Sequence, residues 1–386
     1  MTASLPQHPP ILRLRALTFF VLPLLLLPLV LADPSDKSYQ LVWSDEFTLP
    51  DYSPPDSSLW SHEVGPGPLI GGNDELEYYT AALNNSFILD HTLVVQSLYQ
   101  PNYSQSGLNF TSARLNSLNK VELYLGYVEA RIRVLTMADG HWPAFWMLGH
   151  CSQPYPNCGE IDIMEQVNGP VGNDHGNDKQ QCGTLWSNPN GINGSAPTGP
   201  YHHSGGCIEV PANVTQWGDD WHVYAMKWNL TAIDFLVDGL LYSSSVFGSD
   251  VGFDCYQSSS DPYYLIVNLA EGGTNPGVAP VKDAFPTQLQ VDWVRVWQQA
   301  DGQSYINAPN ATAALPADGT SSTGGSAVGA RDSSSSSAGS RVGTTSSSSS
   351  SGGQTEVNGA SNVSFTGSAA LLSVMLCLAL CMLYIM

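Results

Sequence analysis

The stretch Glu160-Ile161-Asp162-Ile163-Met164-Glu165 sets three carboxylates among three apolar side chains in a run too short for a helical repeat. It reads as a β-strand. With a period of two, Glu160 and Asp162 share one face while Ile161 and Ile163 point to the other, as in a sheet with a buried side and a working side. Glu165 is out of phase by one residue. A β-bulge at Ile163 or Met164 returns it to the face of the other two acids, and bulges are common beside active sites. A strand whose acidic side merely faces water would carry the same letters. The segment upstream, His141-Trp142-Pro143-Ala144-Phe145-Trp146-Met147-Leu148-Gly149, weighs against that alternative. Trp142 and Trp146 have the same parity, so one face of a strand can present both rings as sugar platforms. Paired carboxylates beside apolar platforms are what glycoside cleavage needs: one acid attacks the anomeric carbon and another protonates the departing oxygen.

The geometry is demanding. A retaining glycosidase holds its two carboxyl groups about 5–5.5 Å apart, whereas six extended residues span roughly 16 Å end to end. Curvature, the bulge and leaning side chains must close that difference. The extra residue is therefore a mechanical requirement.

With this bulged E-x-D-x-x-E pattern the sequence resembles glycoside hydrolase family 16, and within it the laminarinase-like β-1,3(4)-glucanases. The likeness extends in order through Leu41-Val42-Trp43-Ser44-Asp45-Glu46-Phe47, Asn73-Asp74-Glu75-Leu76-Glu77-Tyr78-Tyr79-Thr80, Gly126-Tyr127-Val128-Glu129-Ala130-Arg131, Asn268-Leu269-Ala270 and Val291-Asp292-Trp293-Val294-Arg295-Val296. The resemblance implies an all-β fold, a curved antiparallel β-jelly-roll sandwich with a concave substrate cleft. It also implies Glu160 as nucleophile and Glu165 as general acid/base. Asp162 lies between them, expected to hydrogen-bond Glu160 and to help keep Glu165 protonated. Asn73 and Arg114 match positions that contact the sugar in related enzymes, and Asn268 is a further binding candidate. Trp186 stands in Gly183-Thr184-Leu185-Trp186, where relatives commonly have histidine, and is expected to stack on substrate. Asp292 matches a residue that helps hold a structural calcium in relatives. No cofactor is required for the chemistry.

The wider chain agrees with an all-β reading. Tyr127 to Val134 alternates Val128, Ala130, Ile132 and Val134 against Tyr127, Glu129, Arg131 and Arg133. Asp238-Gly239 between two apolar runs predicts a tight hairpin, since that pair readily supplies positive φ angles. From about residue 39 to 299 short β-rich runs alternate with Gly, Pro and Asn, which fits two stacked antiparallel sheets. Acids outnumber bases by 34 to 13, which argues against a nucleic-acid partner and suits a neutral glucan. A monomer is expected.

The ends carry their own signals. Arg13 and Arg15 precede an apolar run interrupted by Pro23 and Pro28 and closed by Val30-Leu31-Ala32, the pattern of a secretory signal peptide over 1–32. A catalytic domain is expected over 33–300, then a Ser/Gly/Thr-rich linker over 301–360. Small residues Asn358 to Ser361 then precede an apolar 369–386 tail, so 361–386 reads as a glycolipid (GPI) anchor signal and the protein as held on the outer face of the plasma membrane or in the cell wall. Asn-x-Ser/Thr sequons begin at Asn84, Asn102, Asn109, Asn193, Asn213, Asn229, Asn310 and Asn362. Cys151 and Cys158 enclose a short proline-containing loop before the acidic strand, where a disulfide would brace its entry. Spacing leaves Cys182, Cys207 and Cys255 open, with Cys182–Cys207 the expected pair.

Three functions fit these residues: hydrolysis of internal β-1,3 or mixed β-1,3(1,4) linkages, transglycosylation through the same intermediate, and non-catalytic glucan binding. The last has no use for both Glu160 and Glu165. Anchoring is testable on cells expressing the protein. Phosphoinositide-specific phospholipase C is expected to release it, and a mature chain retaining its tail through Met386 by mass spectrometry overturns the anchor.

Overall fold

The computed structural model describes residues 37–169, 180–195, 201–212 and 216–312. These all fall in one unit of the chain, Met1–Ser322. The expected signal peptide, the linker beyond residue 312 and the anchor signal lie outside the described residues.

Two β-sheets carry the fold. The back sheet runs in the order Leu240–Val246, Ala232–Val237, His222–Trp228, Gly126–Leu135, Thr287–Gln299 and Thr92–Tyr99, with further short strands at its far edge. The front sheet runs His202–Glu209, Gln180–Ser187, Glu160–Glu165, His141–Gly149, Tyr263–Glu271, Arg114–Asn116 and Ser61–Glu63. Neighbours pair antiparallel in both, apart from the parallel pair Glu77–Tyr79 with Phe110–Ser112.

Alternation builds the core between the sheets. Val128, Ala130, Ile132 and Val134 turn inward with no more than 2% exposure, against Tyr224, Met226 and Val291 of their own sheet and Phe145, Met147, Ile161 and Val267 of the other. Each valine, isoleucine or methionine so buried contributes about 1.5–3 kcal/mol. The opposite parity faces out: Arg131 pairs with Asp292 at 2.6 Å, and Arg133 lies over the Trp221 ring. The Asp238-Gly239 turn forms as expected, with φ of 50° and 77° joining Ala232–Val237 to Leu240–Val246.

Cys151 and Cys158 are bonded with their α-carbons 5.7 Å apart. Cys182 and Cys207 face each other across two paired strands and are also bonded, leaving Cys255 free and buried. Residues 301–312 depart from the expected linker. Tyr305–Asn307 pairs with Glu122–Tyr124, Ala308 and Ala311 pack on the core, and the Thr312 amide donates to the Val42 carbonyl at 2.8 Å. The Ser/Gly composition that signals a linker begins only after these residues.

Ile161 is the core-facing side of the acidic strand, fully buried. Ile161→Ala is expected to lower unfolding free energy in urea by about 2–5 kcal/mol and Ile161→Val by about 0.5–1.5 kcal/mol. Equal stability of the Ala variant and the parent would place Ile161 outside the core.

Candidate active site

Strand register supplies the bulge. Leu148 faces Glu160, Trp146 faces Asp162 and Ala144 faces Glu165, so five residue steps on one strand lie opposite four on its neighbour. The surplus falls at Ile163 and Met164, which both turn into the core with no exposure. Two consecutive residues on the buried side return Glu165 to the face of Glu160 and Asp162. The partners Ala144, Trp146 and Leu148 share one parity, and they line with all three acids a cleft of about 460 Å³.

Across the front sheet this register lays the side chains in rows. Glu165 is followed by Ala144, Asn268, Arg114 and Glu63 on successive strands, and Asp162 is flanked by Trp146 and Thr184. Trp142, Asn73, Arg114 and Asn268 also line the cleft. The structure thus brings together eight of the ten residues singled out in the sequence.

The other two are not among the residues that line the cleft. Trp186 pairs with Glu160 on the adjoining strand and stacks on His203 with ring centroids 4.1 Å apart. Asp292 belongs to the back sheet, where its carboxylate is the counter-ion of Arg131. Among the described residues no group of three or more His, Cys, Asp or Glu could hold a metal ion.

Each acid has a distinct environment. The Trp142 indole donates to Glu165 at 2.9 Å, so that ring is both a wall of the cleft and a hydrogen-bond donor to the acid. Asp162 accepts from the Thr184 hydroxyl at 2.6 Å. Burial pushes the Asp162 carboxyl well above the usual carboxylate range, and the charges of Glu160 and Glu165 push the same way against the Thr184 and Trp186 hydrogen bonds. A protonated Asp162 is a donor among carboxylates.

A second acidic pair lies beneath the cleft. The Glu77 carboxyl is fully buried and raised well above its ordinary value, by burial first and then by the charge of Glu75. Glu75 lines the cleft and also accepts from the Tyr79 hydroxyl at 2.9 Å. The Asn268 amide donates to Tyr79, and the Trp146 indole donates to Asn268 at 2.8 Å. This chain runs from the Glu75 carboxylate to a cleft-lining ring. Arg114, ion-paired to Glu63 at 2.6 Å, lies 4.8 Å from the same ring. At Gly71 an added Cβ would meet the Glu75 carboxylate at 2.2 Å, so only glycine lets the short helix Gly67–Ile70 end over the pair.

Sequence reasoning missed Glu75 and Glu77 as a unit, although the stretch holding them was quoted for Asn73. It also missed Tyr155 and Tyr201, which line the cleft. The only signal for Tyr155 was its place inside the Cys151–Cys158 loop.

Asp162→Asn tests the raised carboxyl. Because the folded state binds the Asp162 proton more tightly than the unfolded chain does, the stability it contributes is full below about pH 3.8 and is lost as pH rises toward the raised folded value. The neutral amide lacks that loss. Its melting temperature is expected to exceed the parent's by a margin that widens upward from about pH 4 while kcat falls. A margin constant across pH would show Asp162 ionised in the fold.

The sequence profile of glycosyl hydrolases family 16 matches residues 80–295. A β-glucanase of Rhodothermus marinus is 37% identical over 286 residues, covering 69% of this chain and 88% of its own. The catalytic domain of an endo-1,3-β-glucanase (laminarinase) from Thermotoga petrophila superposes with a TM-score of 0.56 at 30% identity, over 68% of this chain and 98% of that one. SCLam, a non-specific endo-β-1,3(4)-glucanase co-crystallised with 1,3-β-D-cellotriosyl-glucose, superposes with a TM-score of 0.57 at 29% identity, over 69% of this chain and 97% of that one. With its two antiparallel-rich sheets and its bulged acidic strand, the chain belongs to glycosyl hydrolase family 16, whose jelly-roll fold it shares.

Proposed function

We propose that the protein is a retaining endo-β-glucanase that cleaves internal β-1,3 or mixed β-1,3(1,4) linkages. The observation that carries this reading is the bulge that gathers Glu160, Asp162 and Glu165 on one face of a cleft walled by Trp142 and Trp146. The named activities of the β-glucanase and laminarinase relatives point to the same substrate class.

A Glu160 oxygen attacks the anomeric carbon from the face opposite the leaving sugar. The glycosidic bond breaks, its electron pair goes to the departing oxygen, and Glu165 supplies the proton. Water then adds to the same carbon, yields its proton to Glu165 and returns the ester electrons to Glu160. Two inversions give net retention. Asp162, neutral and central, can donate to Glu160 without adding a third charge. Asn73, Arg114 and Asn268 offer hydrogen bonds to sugar hydroxyls, and the indole rings exclude water. A sugar hydroxyl in place of water would give transglycosylation; no feature of the described cleft favours it over hydrolysis.

The same proposal places the protein outside the cell on a glycolipid anchor, as a glycoprotein. Two disulfides support an oxidising compartment. The sequon residues Asn84, Asn102, Asn109, Asn193 and Asn310 are exposed, Asn229 is half-buried, and Asn213 and Asn362 lie outside the described residues.

Glu160→Ala is expected to abolish β-glucan cleavage while glucan binding persists. Added azide fills the vacated space and attacks an activated β-glucoside directly, giving the α-glycosyl azide. Glu165→Ala instead gives the β-azide, through attack on the intermediate. Release of the α-anomer first by the parent enzyme, followed by NMR, overturns both the retaining course and the role of Glu160.

A further inference from the structure

Trp142 stands on the strand His141–Gly149, two positions before Ala144, the residue that faces Glu165. On paired strands such a diagonal offset, about 7–8 Å, is within reach of a large aromatic side chain. The indole N–H spans it and donates to Oε1 of Glu165 at 2.9 Å. The backbone stays fastened beyond the acid as well: the Gln166 amide donates to the Pro143 carbonyl at 3.3 Å and the Asn168 amide to the His141 carbonyl at 3.1 Å. The ring packs with Val167 and Ala270, and it and Glu165 are both buried. Donor and acid are therefore fixed relative to each other before a sugar arrives.

This hydrogen bond has one possible direction. An indole N–H only donates, so Oε1 is the acceptor whether or not Glu165 holds a proton. While the acid is protonated its carbonyl oxygen is the better acceptor, which places the transferable proton on Oε2. Trp146, of the same parity on the same strand, gives its N–H to Asn268 instead. Of the two tryptophans that line the cleft, Trp142 is the one bonded to an acid.

We propose that Trp142 is a positioning residue for proton transfer, its indole N–H holding Glu165 with Oε2 as the proton-bearing oxygen and stabilising the carboxylate left when the departing sugar takes that proton. This rests on the assignment of Glu165 as the general acid. In the first step an oxygen of Glu160 bonds to C1, the bond from C1 to the leaving oxygen breaks with its electron pair going to that oxygen, and the oxygen takes the Oε2 proton. Negative charge then spreads over both oxygens of Glu165. The N–H at Oε1 meets that charge as it develops, and a hydrogen bond to an ionised group is roughly twice as strong as one between neutral groups. In the second step Glu165 takes a proton from water and the hydrogen bond weakens, so the contribution falls on the first step. A leaving group that departs without a proton leaves no new charge on Glu165 and gains nothing from the donor. Stacking of the ring on sugar is a separate contribution, the same for every leaving group.

The full chain is assayed with aryl β-glycosides of one β-1,3-glucan disaccharide. The leaving phenols run from dinitrophenol, which needs little acid help, to unsubstituted phenol, which needs much. The first step is read from kcat/KM. W142F removes the N–H and part of the platform, so it is expected to lose activity on every substrate, with a further loss of about ten- to a hundredfold on the phenyl glycoside over the dinitrophenyl one. Trp142→benzothienylalanine keeps the shape of the indole with sulfur in place of N–H, and is expected to show the same further loss; where W142F does not fold, this variant decides alone. Glu165→Ala should show the steepest dependence on the leaving group. A parallel loss across the series in the benzothienyl variant overturns the proposal, because a wall or a platform serves all leaving groups alike. If Glu165→Ala itself keeps the parent's dependence, the assignment of Glu165 as the acid fails, and the proposal with it.

Discussion

The cleft depends on a mismatch of one residue between two paired strands. Between Leu148–Glu160 and Ala144–Glu165 one chain takes five steps where the other takes four. A regular strand would send Glu165 into the space that Met164 now fills, among Ile161, Phe145 and Val267. An unpaired carboxylate there costs several kcal/mol, and Met164 would project into the cleft instead. Both faces of the strand therefore select the same bulge: the core accepts Ile163 and Met164 in succession, and the cleft collects every acid. Shortening the strand by one residue step also brings its two end carboxylates closer, as a covalent glycosidic route requires.

Gathering acids has an electrostatic cost that the surroundings offset locally. Asp162 sits between two other carboxylates in a buried position, and the cost is relieved by keeping its proton. Glu77 does the same next to Glu75. Glu271, fully buried and raised by that burial, has the His141 ring nitrogen 2.7 Å away. A protein with net charge −21 thus avoids a block of negative potential under a neutral substrate.

How much of this was legible in the sequence follows the range of the interactions. The acidic strand, the bulge, the Asp238-Gly239 hairpin and the inward parity of Val128 to Val134 are local patterns, and each appears where its period places it. The Cys151–Cys158 bond was readable because seven residues of chain limit the distance between its ends. Contacts across the sheets were not readable. Arg131 reaches Asp292 across 161 residues of sequence, and no spacing rule forecasts that this arginine takes the carboxylate. Trp186 has the correct face and strand, but His203 on the adjoining strand covers its ring. Residues 301–312 carry no strand signal of their own and are held by the edge that Glu122–Tyr124 offers.

The tryptophans show why a platform is more than an exposed ring. Trp142 gives its indole N–H to Glu165 and Trp146 to Asn268. A donor bound at one end fixes the ring plane, so the rotamer freedom of each side chain, about 0.5–1.5 kcal/mol, is lost on folding rather than on binding. The same hydrogen bonds run in the other direction too. A sugar that shifts Trp142 must disturb Glu165, and one that shifts Trp146 must disturb Asn268, Tyr79 and Glu75. Correct stacking and correct acid geometry are therefore a single condition, which lets binding energy from remote sugar units bear on the reacting carbon.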